Sequence, residues 1–87
     1  MRVLHLIVKR KWFNLIKSGK KTTEYRRICP HWESRLIDKN GRIIQFDEVH
    51  FTNGYHGNSP KVKCVWKGMK INKRTGCFEI KLGGLIP

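Results

Sequence analysis

The stretch Gly19-Lys20-Lys21-Thr22-Thr23-Glu24-Tyr25-Arg26-Arg27 constrains this chain most, because the backbone has to change type across it. Ahead of it, between Lys9 and Ser18, the apolar residues Trp12, Phe13, Leu15 and Ile16 cover one side of a helical wheel. Lys9, Arg10, Lys11, Asn14 and Lys17 take the other side. Within the stretch, Thr22, Thr23 and Tyr25 favour an extended chain, and Gly19 stands where a helix stops. The pattern predicts a helix-to-strand corner, with the helix plugging one end of a small sheet.

Polar chemistry concentrates at the same corner. Glu24 and Arg26 are two apart and share one face of a strand, whereas Lys21 belongs to the opposite face if the strand is already regular there. Either the corner twists Lys21 round to join them, or the three never meet. One acid among many bases holds a guanidinium in a fixed orientation, which suits it to a phosphate or the edge of a base. The plainer alternative is a cross-strand salt bridge beside a solvated lysine.

Composition narrows the partner. The chain has 87 residues, enough for one domain (1-87) with a single modest core, so any site lies on the surface or in a shallow cleft. Nineteen Lys and Arg against six Asp and Glu give a net charge of +13, which a polyanion would relieve. Nucleic acid is the natural candidate. A membrane surface would require an amphipathic helix with a clean apolar face, but Lys9–Ser18 is short and needs its apolar stripe for the core. No apolar run approaches the roughly 20 residues that span a bilayer, and Met1-Arg2 leads straight into a strand-like segment. The expectation is a soluble, cytoplasmic protein, monomeric and without membrane contact. Cys29, Cys64 and Cys77 are widely spaced and lack a C-x-x-C pair. His5, His31, His50 and His56 also lack ligand spacing, so neither a disulfide framework, a metal site nor a cofactor is expected.

The remaining elements follow in order. Val3 to Val8 is a nearly continuous apolar run, read as a strand covered on both faces and central in the sheet. Cys29-Pro30 starts a second helix, Pro30–Ile37, with Trp32 and Leu36 on one face. Asp38 to Gly41 is a turn, and Ile43, Ile44 and Phe46 re-enter the core as a short strand. Glu48–Asn53 alternates, pointing Val49 and Phe51 inward. Asn53 to Pro60 is a glycine- and asparagine-rich loop that presents Tyr55 and His56, either to a base or back over the barrel mouth. In the strand Lys61–Ile71, Lys61, Lys63 and Lys67 share the outward face, either as a phosphate track or as protection for an edge. Gly68 marks a bulge. The last strand, Cys77–Leu82, turns Phe78, Ile80 and Leu82 inward and ends at Gly83-Gly84.

Gly19, Lys21, Glu24 and Arg26 reproduce the spacing G-x-K-x-x-E-x-R, and with them the chain resembles the ASCH domain, a small β-barrel related to the PUA fold. The resemblance covers an opening strand, a helix ending Lys-Ser-Gly, the motif, a short helix around Trp32, the Phe51–Tyr55 segment and a closing Phe-Glu-Ile-Lys-Leu-Gly strand. It implies an α+β fold, a small mixed five- to six-stranded PUA-like β-barrel with two short helices, in an RNA-associated or nucleotide-handling domain.

Three functions fit the sequence. The first is a binding module for RNA or a nucleotide, using Lys20, Lys21, Glu24, Arg26, Asn53, Tyr55, His56, Lys61 and Lys63 around a basic cleft. The second is an enzyme on RNA or a modified nucleoside. Some proteins of the resembled fold are acylcytidine amidohydrolases that use a lysine, a threonine and a glutamate, and others are ribonucleases. Lys21 falls on the position of that catalytic lysine, but the threonine position holds Glu24 and the later glutamate has no counterpart. A neutral amine at Lys21 is needed for such chemistry, and Glu24 favours the ammonium instead. The third is a small basic accessory factor that binds another protein.

Overall fold

The computed structural model describes residues 1–55 and 58–87, so the expectation attached to His56 lies outside the described residues. Five strands and two helices alternate as β1 (Val3–Val8), α1 (Arg10–Lys17), β2 (Thr23–Arg27), α2 (Pro30–Leu36), β3 (Glu48–Asn53), β4 (Lys61–Asn72) and β5 (Cys77–Ile86). The strands form one mixed sheet in the order β1-β3-β4-β5-β2. β1 and β3 run parallel, from Val3 opposite Glu48 to Val8 opposite Asn53, and the other pairs are antiparallel. The fold is α+β, as expected. The sheet curls into a half-barrel rather than closing, and β1 and β2 face each other across an open seam.

Alternation along the strands builds the concave core. Leu4, Leu6 and Val8 from β1, Val49 and Phe51 from β3, Cys64 and Trp66 from β4, and Phe78, Ile80 and Leu82 from β5 are all buried on one face. Phe13 and Ile16 from α1 and Leu36 from α2 close over them. Losing a buried aromatic of this kind, such as Phe13, costs about 3–5 kcal/mol. α1 has Lys9 and Ser18 as its flanking caps. Gly19 follows with φ +80°, its N–H bonded to the Ile16 carbonyl at 3.0 Å, so the predicted stop is where the left-handed residue falls. α2 begins at Pro30 and is capped by Ile37, one residue from the expected end.

Three expectations are corrected. β1 is an edge strand, not a central one, since it stands at one end of the strand order, and it is covered on one face only, with His5 and Ile7 exposed on the other. A short apolar run reads alike whether one face or both are covered. Ile43 to Phe46 forms no strand but a single bridge, Ile37 to Ile43, with Ile43 and Phe46 packed against the core. Finally, β5 does not stop at Gly83-Gly84. It runs on to Ile86, pairing Leu85 with Cys64 and Ile86 with Lys63. A Cβ at Gly83 would stand 2.9 Å from Lys67 Cγ and 3.0 Å from Val65 Cβ, so glycine permits the close approach rather than breaking the strand. The bulge read at Gly68 is present: the β4–β5 register shifts between Trp66 and Met69, and Gly68 has φ +108°. Among the described residues, no helix is long and apolar enough to cross a membrane.

Candidate functional site

The seam between the two edge strands is where the corner residues converge. Lys21 precedes the first residue of β2, and its backbone N–H is bonded back to the Leu15 carbonyl of α1 at 3.0 Å. The strand rule that would send Lys21 to the opposite face therefore does not yet apply to it. The corner turns it toward Glu24, with Lys21 Nζ 3.3 Å from Glu24 Oε1. Glu24 and Arg26 share the inward face of β2, and Arg26 Nη2 donates to Glu24 Oε2 at 2.6 Å. The Tyr25 backbone N–H lies 3.3 Å from Glu24 Oε1. One carboxylate thus holds two cations: Arg26 follows from the spacing of two, and Lys21 joins because the corner twists it round, the first of the two alternatives left by the sequence.

The same guanidinium reaches across the seam. Arg26 Nη2 donates to the carbonyl of Ile7 on β1 at 3.1 Å, so a side chain bridges the two edges that no strand ladder joins. Both bonds leave from Nη2. The Arg26 Nε–H is buried and has no partner among the described residues. A buried donor left unsatisfied costs about 1–3 kcal/mol, so this N–H remains free to take a partner.

Burial makes the cluster more than a surface ion pair. The side chains of Glu24, Lys21 and Arg26 are 8%, 14% and 18% exposed, and Glu24 is the one buried charged residue among those described. Charges removed this far from water are screened less by salt than exposed ones. Around them lies an open cleft of about 500 Å³, within the range of small-ligand sites, lined by Ile7, Lys9, Trp12, Tyr25 and Arg27 as well as the three charged residues. Four cations, Lys9, Lys21, Arg26 and Arg27, face one carboxylate there. Lys9 is also the cap of α1, so the positive end of the helix adds to the same potential.

Aromatic faces complete the cleft. Lys21 Nζ sits 5.2 Å from the Trp12 ring centroid and 5.1 Å from that of Tyr25. Trp12 is 42% and Tyr25 54% exposed, large apolar surfaces open to solvent beside a buried charge. Trp12 departs from its helical reading as a core residue. It lies in the first turn of a two-turn helix, and helical side chains lean toward the N-terminus, which here carries the ring past the core to the seam. No signal in the chain separates it from Phe13 and Ile16. Tyr25 is legible in the sequence only as a residue that favours an extended chain.

The other site candidates are placed apart. Lys20 is on the rim, lining a shallow hollow with Trp12, Lys21 and Tyr25. Asn53 ends β3, with its backbone N–H bonded to the Pro60 carbonyl at 3.0 Å. Lys61 and Lys63 are exposed on β4, opposite Thr52 and His50, and do not line the seam cleft. Tyr55 lines a neighbouring hollow that shares Arg26 with the cleft. Among the described residues, no three His, Cys, Asp or Glu side chains converge as a metal site. Burial pushes the Cys64 thiol above its ordinary pKa, so that thiol is inert packing.

Chemically the cleft is a donor-rich floor with π-faces beside it. Lys21 has three N–H donors and Arg26 five, and the bonds described above use only part of them, so the cleft suits phosphate oxygens or the carbonyl edge of a base. No protein-family model and no curated protein matches this chain.

Proposed function

We propose that this protein is a binding module for RNA or a nucleotide, a cytoplasmic ASCH-type domain of the PUA-like class that receives its ligand in the seam cleft. The observation that carries the reading is the buried Glu24 carboxylate fixing Lys21 and Arg26 on the floor of a recess flanked by Trp12 and Tyr25. An unpaired base stacks on such a ring for about 1–3 kcal/mol. The net charge of +13 supplies long-range attraction for the phosphates.

The same geometry weighs against Lys21 as a nucleophile. Its Nζ is held by a carboxylate at 3.3 Å and lies over two ring faces, so it stands on the cleft floor as a fixed donor rather than free to approach a reacting atom. Lys21 is assigned here to ligand recognition.

Titration of a fluorescent single-stranded RNA across 50 to 300 mM salt tests the proposal. If several phosphates are neutralised, log K falls with log salt at a slope of roughly −0.7 per contact. Arg26→Ala should weaken binding by about 10-fold or more, as expected for loss of a charge-assisted contact worth about 1.5–3 kcal/mol. A flat salt response, or Arg26→Ala binding as the native protein does, would refute it.

A further inference from the structure

Beside the seam cleft lies a second hollow of about 300 Å³, walled by Ile7, Arg26, His31, Trp32, Arg35 and Tyr55. Ile7 and Arg26 belong to both hollows, so the Arg26 guanidinium stands on the partition between them. No carboxylate lines the second hollow, whereas two arginines do. Its aromatic members are placed in ways that packing alone does not require. Trp32 is half-buried on the core, with the Arg26 and Arg35 guanidinium carbons 4.9 and 5.8 Å from its ring centroid. Tyr55 is 89% exposed, the most exposed large apolar side chain among the described residues, yet it faces the same hollow.

We infer that the ligand is a single strand of at least two consecutive nucleotides. Resting on the nucleotide-binding reading of the seam, this assigns the first base to the Trp12–Tyr25 cleft and the second to the hollow of Trp32 and Tyr55. The phosphate that links them lies over Arg26. Both bases meet ring faces or guanidinium planes, the two kinds of platform that hold unstacked bases. The linking phosphate meets a guanidinium already held in place by Glu24 and the Ile7 carbonyl. A free mononucleotide fills only one side of that partition.

The test compares the full chain and its Tyr55→Ala variant in binding uridine monophosphate, a uridine dinucleotide, and the same dinucleotide with an abasic second residue, at one fixed salt concentration. Because Tyr55 is so exposed, the variant folds as the native chain does. The dinucleotide should bind about 10-fold or more tighter than the monophosphate, and the abasic analogue should lose most of that gain. In Tyr55→Ala the ratio of dinucleotide to monophosphate affinity should fall to about the abasic level. A dinucleotide no tighter than the monophosphate, an abasic analogue equal to the intact one, or a ratio unchanged in Tyr55→Ala overturns the two-base assignment while leaving the seam as a nucleotide site. Failure of every ligand to bind removes the seam reading, and this inference falls with it.

Discussion

Two neighbouring strands carry nearly the same acid-x-base couple and use it differently. Glu24-x-Arg26 lies on β2 and Glu79-x-Lys81 on β5, and the strands pair so that Glu24 is opposite Ile80 and Tyr25 opposite Glu79. The first couple therefore shares the concave face with Phe78 and Ile80, and the second points outward with Tyr25. In the seam the carboxylate is 2.6 Å from a guanidinium and buried. On the outside, Lys81 Nζ is 3.6 Å from Glu79 Oε1, and Glu79 takes its hydrogen bond from the Asn72 amide at 3.0 Å. Residue type and spacing are shared, so the face on which the couple falls decides whether both partners are drawn into the seam or the base is left largely in solvent, as Lys81 is.

Removing the acids should expose this difference most strongly. Glu24→Ala leaves two half-buried cations without their counterion and should cost about 3 kcal/mol in urea unfolding, together with most ligand binding. Glu79→Ala should cost a small fraction of that, and equal losses from the two would break the comparison. On the outer face the costly change should be steric. Gly83→Ala places a methyl against Lys67 Cγ and Val65 Cβ and should destabilise by about 1–3 kcal/mol in the same assay. Arg26→Lys keeps the charge but loses the planar fork, and should weaken RNA binding several-fold, whereas Lys63→Ala should change it by less than about 3-fold.

The smallest effect concerns acid. Hydrogen bonding from Asn72 holds the Glu79 carboxyl below its ordinary value of 4.5, with Lys81 and Lys70 assisting against partial desolvation. A carboxyl whose folded pKa is depressed stabilises the fold above its unfolded value and loses that contribution as pH falls through the folded one. The melting-temperature gap between the native chain and Asn72→Ala should therefore be steady above about pH 5 and narrow below it. The turn bonds from the Arg74 and Thr75 backbone N–H groups to Asn72 Oδ1 add an offset that does not vary with pH.

The contrast between the couples was half legible in the chain. Phe78, Ile80 and Leu82 alternate with Glu79 and Lys81, so period two alone turns the β5 couple outward. In β2 both faces carry polar residues, and nothing local tells which side is covered; that depends on pairing with β5. The inward residues of β3 and β4 and the bulge at Gly68 were readable for the same reason as β5. Trp12 was not, since its exposure follows from where α1 ends relative to the seam. Nor was the edge position of β1, which is set by its parallel pairing with a strand some forty residues later. The corner residues Glu24 and Arg26 were readable as a pair, but the contribution of the Ile7 carbonyl has no side-chain signature at all.

The order of pairing has a further consequence for a growing chain. β2 is held in its ladder by β5, and β1 reaches the sheet through β3. Residues 7 and 24–26 are made before β5, yet the two walls they form are brought face to face only after Cys77–Ile86 has been made and docked. A nascent chain halted before that strand would contain every residue of the cleft but lack the cleft itself.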